Sequence, residues 1–256
     1  MSGRPTDPES IGEHDSASTG GMTSARELQL SANLKQVAAR IAAACRACGR
    51  SPDEVRLAVV TKNFPASDVA LLAALGCTDV AENRDQEARG KHAALGDQPV
   101  LRWHMIGQLQ RNKARSVATW ADVVESVDRL AIAQALSAAA VAQGRALEVL
   151  IQVNLDQNPT PGRGGAGPVD VPALAEACLA LPGLRLAGVM GVAPHPGDPG
   201  RAFAVLARAL QRLQETAPDC RVMSAGMSED LEEAIGAGAT QVRIGGAVLG
   251  NRPLLK

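Results

Sequence analysis

Eight short segments rich in Val, Ile and Leu recur along the chain, near 55–61, 78–81, 101–106, 121–127, 147–153, 184–192, 221–225 and 241–244. Between them run Ala-rich stretches with helical spacing, among them 67–75, 129–142, 171–181, 201–216 and 228–237. Such alternation builds a parallel sheet with helices outside it. Eight units within about 200 residues favour closure into a single (β/α)8 barrel over an open doubly wound sheet. One more amphipathic helix is predicted ahead of the first strand, over 25–47, so the barrel domain is expected to run from 25 to 256. Residues 1–24, with Pro, Ser, Gly and Thr, carry too little apolar surface to offset ordering entropy and are predicted to form a disordered tail.

Composition narrows the function classes. The chain has two Trp, two Phe and no Tyr, so its core must be built from aliphatic residues, and it has few platforms for stacking bases. A balance of 26 basic and 27 acidic residues, net −1, gives no general attraction to nucleic acid or an anionic membrane. No apolar run is long enough for a membrane span and no secretory pattern opens the chain, so a cytoplasmic protein is expected. The five cysteines are odd in number and widely spaced, which argues against a disulfide framework. Cys45 and Cys48 form a CxxC but share a helical stripe with Leu30, Leu34, Val37, Ile41 and Ala44. They are read as buried apolar residues, and no metal site is expected.

Two places carry chemistry. Lys62 directly follows Leu57-Ala58-Val59-Val60-Thr61, where a barrel strand reaches its catalytic face. A desolvated lysine there has a lowered pKa and attacks aldehydes; a solvated strand end is the ordinary alternative. The second place is a pair of segments, Ser224-Ala225-Gly226-Met227-Ser228 after strand seven and Arg243-Ile244-Gly245-Gly246 at strand eight. Loops at these positions commonly hold phosphate. Ser228 is predicted as a helix N-cap with Glu229 and Asp230 in the first turn, and the two glycines let backbone N–H groups approach an anion. An aldehyde bearing a phosphate satisfies both places. Pyridoxal 5′-phosphate (PLP) and a sugar phosphate are the candidates. The Gly-rich stretch 162–165, after strand five, is read as a solvated insertion.

The run Trp103-His104-Met105-Ile106-Gly107-Gln108-Leu109-Gln110-Arg111-Asn112-Lys113 resembles the signature of the pyridoxal phosphate homeostasis proteins. These are related to the N-terminal barrel of alanine racemase, fold type III of PLP proteins. Lys62-Asn63-Phe64-Pro65, Glu82-Asn83, Gly226-Met227-Ser228 and Arg243-Ile244-Gly245 extend the likeness over about 30–250. The resemblance implies that Lys62 forms a Schiff base with PLP. It also implies that Ser228, Arg243, Gly245 and Gly246 surround the phosphate and that Asn83 lies near the ring. Ser224, opening the same segment as Ser228, is grouped with them. Two positions depart from the family pattern: Ala81 replaces a glycine, and Gly246 stands where a hydroxyl residue is common, which weakens the expected phosphate binding. Within the signature Trp103 is read as core, His104 as a satisfied structural group, and Arg111, Lys113 and Arg115 as a solvated helix face. His92 and His195 receive no role.

A racemase of the alanine racemase type uses a lysine and a tyrosine, the latter from a second domain, and this chain has no tyrosine. The expectation is therefore a non-catalytic protein, with no catalytic residues assigned, that holds PLP for its homeostasis and delivery to PLP-dependent apoenzymes. It is expected as a monomer or weak dimer. A single-domain racemase or lyase is the alternative, and a sugar-phosphate enzyme a weaker third.

Overall fold

β-Branched and leucine-rich segments placed between alanine-rich helices produce the expected ring. The computed structural model describes residues 24–96, 100–156 and 164–250. The predicted tail, apart from Ser24, and residues 162–163 of the Gly-rich stretch lie outside these. In chain order the elements are α1 (Ala25–Ala47), β1 (Arg56–Val60), α2 (Ala66–Ala74), β2 (Asp79–Glu82), α3 (Asp85–Leu95) and β3 (Arg102–Met105). Next come α4 (Ala114–Val117), β4 (Val123–Val127), α5 (Leu130–Ala142), β5 (Leu147–Val153), α6 (Val171–Ala180) and β6 (Leu184–Gly191). The last are α7 (Pro199–Thr216), β7 (Val222–Ser224), α8 (Leu231–Gly236), β8 (Gln241–Ile244) and α9 (Gly246–Leu249). All pairings are parallel, in sequence order, and β8 closes back on β1. No helix among the described residues is long and apolar enough to cross a membrane.

The largest core lies between strands and helices and includes both tryptophans, Phe203 and many aliphatic side chains. Trp103 packs edge-on against Trp120 and His92. α1 covers the outside of the closing seam. Ser24 caps it by accepting from the Glu27 amide, and its stripe Leu30, Val37, Ile41, Ala44 and Cys45 joins Val59, Val242 and Val248 in a second core. Cys45 is thus core, as the stripe predicted, whereas Cys48 is exposed one turn later.

Inside the ring the filling differs from the branched aliphatic layers usual in such barrels. Ala58, Val60 and Ala81 line one side, and Leu150, Ala187 and Met190 another. Between them stands a buried polar array of Asp79, His104, Glu125, Ser224, Gln241 and Arg243. The methyl of Ala81 fits within the first apolar patch, so the departure from glycine costs no space there.

Candidate functional site

Strand parity sends Lys62, Asn83 and Gly245 toward the mouth of the barrel at its C-terminal end. A cavity of ≈720 Å³ opens there, lined by Lys62, Asn83, Ser228, Arg243, Gly245 and Gly246 among others. Six of the seven residues singled out from sequence therefore meet around one space, of a size that holds a small cofactor.

Ser224 is the exception. It is fully buried below the cavity and absent from its lining. Its hydroxyl donates to Glu125 Oε2 at 2.6 Å and accepts from Gln241 Nε2 at 3.0 Å and from Arg243 at 2.7 Å. A hydroxyl has one hydrogen and two lone pairs, so Ser224 has no capacity left for a phosphate. It positions Arg243 instead. Its place at the strand end explains the difference from Ser228: the last inward residue of the strand still belongs to the barrel interior.

Arg243 is fixed by that serine and by the Gly191 carbonyl, to which it donates at 2.8 Å. Two of its N–H groups are spent this way and further donors remain for a ligand. Burial pushes its pKa down, against the charges of Glu125 and Asp230. Below it, Glu125 Oε1 accepts from Gln241 at 2.7 Å and meets His104 Nδ1 at 2.7 Å, while His104 Nε2 lies 2.9 Å from Asp79 Oδ1. Burial opposes protonation of His104, but the two carboxylates outweigh it and raise its pKa to about 8. Burial likewise pushes Glu125 up, and the bonds and charge of His104 bring it below the usual range. At neutral pH a protonated His104 and Arg243 thus balance Asp79 and Glu125.

The first phosphate segment turns differently from the prediction. α8 begins at Leu231, with Asp230 and not Ser228 at its N-cap. The Met227 amide donates to Asp230 Oδ1 at 2.6 Å, so the aspartate closes a separate turn, 227–230, before the helix starts. Asp is a strong turn former, and Gly226 ahead of it adopts φ +91°, with a Cβ there 2.7 Å from that of Ala234. Ser228 and Glu229 thus sit on a turn facing the cavity. In the second segment, a Cβ on Gly246 would meet nothing within 4 Å, so its backbone is open to an approaching anion. The leading N–H groups of α9 have no acceptor within that helix.

α1 grips both segments from behind. Arg40 donates to the Ser228 carbonyl at 2.9 Å and pairs with Glu232, and Asn33 donates to the Val248 carbonyl at 2.8 Å. Asn83 is set by the signature: a Cβ on Gly107 would fall 2.1 Å from the Asn83 carbonyl, so only glycine lets the ends of β2 and β3 close to this distance. The other signature residues behave as read: Trp103 is core, His104 is bonded at both nitrogens, and Arg111, Lys113 and Arg115 are exposed.

Some of the site was not foreseen. The loop after β6 contributes Val192, Pro194, His195 and Gly197 to the cavity wall. Its place at the C-terminal end of a strand was the available signal. Arg40 and Asn33 carried none, since their partners are 188 and 215 residues away. Of the Gly-rich stretch, Gly164 accepts from the Gln152 side chain, and Ala166 just beyond it pairs beside Val153. This end of the stretch thus lies alongside the end of β5.

The model of the alanine racemase N-terminal domain family matches residues 32–253. The pyridoxal phosphate homeostasis protein of Pseudomonas aeruginosa is 45% identical over 220 residues, covering 86% of this chain and 94% of the relative. The chain belongs to this family. The homeostasis protein of Mycobacterium tuberculosis is 41% identical over 247 residues, covering 90% and 95%. Among solved structures, PipY of Synechococcus elongatus with PLP bound has a TM-score of 0.75 and 32% identity, covering 86% of this chain and all of that one (100%). The solved relative shares the barrel.

Proposed function

We propose that the chain binds PLP at this cavity through a Schiff base to Lys62 and serves its keeping and delivery within the cell, without turning over an amino acid. The observation that carries this reading is the meeting of Lys62, Arg243, the 227–230 turn and the start of α9 at 245–246 around one cavity. An amine, a guanidinium and clustered N–H donors match an aldehyde and a phosphate on one small molecule. PLP supplies an electrophilic aldehyde and a dianionic phosphate. Lys62 provides the amine, Ser228 and the backbone at Gly245 and Gly246 receive the phosphate, Arg243 adds positive charge, and Asn83 stands beside the ring. The PLP-bound relative and the family's shared name support the choice of PLP over a sugar phosphate.

The carrier reading rests on the absence of any tyrosine. Loss of one member of an acid–base pair typically costs 10²–10⁴-fold in rate. A second reading, a single-domain racemase or lyase, is favoured by one observation: His195 lines the cavity wall and has the chemistry of a second proton carrier. PLP-dependent apoenzymes are the proposed recipients.

The test is to mix the protein with PLP, reduce with borohydride and map the adduct. The expected adduct is on Lys62 and vanishes in Lys62→Ala; an adduct elsewhere sinks the proposal. Amino-acid turnover that requires both Lys62 and His195 would replace the carrier by the enzyme.

A further inference from the structure

Lys62 is flanked by residues that a buried ionic cluster holds on both sides. Lys91, on α3, is almost wholly buried and spends its three N–H groups on the Thr61 carbonyl, Glu82 Oε1 and Glu87 Oε1, each at 2.7 Å. Glu82 Oε1 also accepts from the Thr61 hydroxyl at 2.6 Å. Glu87 Oε1 accepts from the backbone amide of Asn63 at 2.5 Å. The residue before Lys62 is thus tied by its side chain and its carbonyl, and the residue after it by its amide.

The chain needs holding here. Asn63 has φ +67°, a left-handed conformation that is strained for most residues and less so for asparagine. The Phe64 amide returns to the Thr61 carbonyl at 3.1 Å, so the backbone reverses within one residue of the lysine. A buried ion cluster returns little net stability, because desolvation offsets the attraction. Glu82 Oε2 even lies buried without a hydrogen-bond partner, and burial pushes the Glu82 carboxyl up, against the charge of Lys91. What the cluster delivers is location: its bonds converge on the two peptide groups that aim Lys62.

We infer that Lys91, Glu82 and Glu87 form a positioning cluster for Lys62, fixing the turn from which its amine enters the cavity. This rests on the reading of Lys62 as the amine that takes the aldehyde, and it can fail separately from that reading.

The experiment compares wild type with Lys91→Met, and with Glu87→Ala, which releases the Asn63 amide while leaving Lys91 its other partners. Two readouts use protein without cofactor: hydrogen exchange of the peptide spanning 61–64, and the pH profile of Lys62 methylation by formaldehyde and cyanoborohydride, mapped by mass spectrometry. A third is PLP affinity. In both variants exchange at 61–64 is expected to rise with β5 and α5 unchanged, the methylation profile to shift, and PLP binding to weaken about tenfold, as misplacement of a reacting group implies. Lys91→Arg is expected to restore part of each. Variants with a lower melting temperature but wild-type exchange and methylation at Lys62 would overturn the inference and leave the cluster a stability feature. If Lys91→Met does not fold, Glu87→Ala decides alone. A wild-type protein that takes no PLP on Lys62 refutes the proposed function, while exchange and methylation still judge the cluster.

Discussion

Gly107 shows how one missing Cβ can set a site from a distance. It touches no ligand position, yet a methyl group there would collide with the Asn83 carbonyl, which is backbone and cannot rotate away. Gly107→Ala is expected to cost about 1–3 kcal/mol, as overpacking does, and to displace Asn83 from the cavity wall. Urea unfolding measures the first, and PLP titration of the folded variant the second. Asn63 makes the complementary point: its left-handed backbone is held by a carboxylate from α3, and Lys62 gains its direction from residues that never enter the cavity.

At the scale of elements, α1 links the outer layer to the mouth. Arg40 and Asn33 hold carbonyls of the 227–230 turn and of α9, so the segments proposed for phosphate share one support. The Arg40–Glu232 pair is exposed and contributes little to stability. The bond to the Ser228 carbonyl is the one that bears on the proposed phosphate site. Arg40→Ala is expected to weaken PLP a few-fold, on the order of one lost hydrogen bond, and to leave pyridoxal, which lacks the phosphate, unaffected. Parallel titrations with the two compounds check this; equal losses for both would remove α1 from the phosphate site. The extent of α1 was legible in the sequence to the residue, and so were those of β5 and β8, because an apolar stripe or a β-branched run ends where its burial ends. The start of α8 was not, since Ser228 and Asp230 are both good caps and only the bond from Met227 to Asp230 decides between them. Lys62, Asn83 and the two glycines could be placed at one end of the barrel, where they line one cavity, because motif and strand position agree. The burial of Ser224 below the cavity, and the contacts of Arg40, Lys91 and Glu125, were not legible, because they join distant parts of the chain.

For the whole molecule, the barrel interior couples stability to pH. His104 is raised from an ordinary 6.5 to about 8 by Asp79 and Glu125, against burial. A folded-state value above the unfolded one means that the stabilisation is complete below about 6.5 and is lost as pH rises through about 8. The difference corresponds to about 2 kcal/mol at most. Stability is thus expected to fall between pH 6.5 and pH 9, and His104→Gln to be less stable at pH 6.5 but flatter across that window. Urea midpoints at the two pH values measure it; an equal slope in the variant would assign the pH dependence to other groups. The same array also constrains how the ring can form. Its members come from β2, β3, β4, β7 and β8, so a half-barrel ending before β7 would leave Glu125 without Ser224, Gln241 or Arg243. Before those strands join, His104 is the one member of the array bonded to Glu125. The last two strands complete a circuit as well as a sheet: the polar array is whole only when the ring is closed.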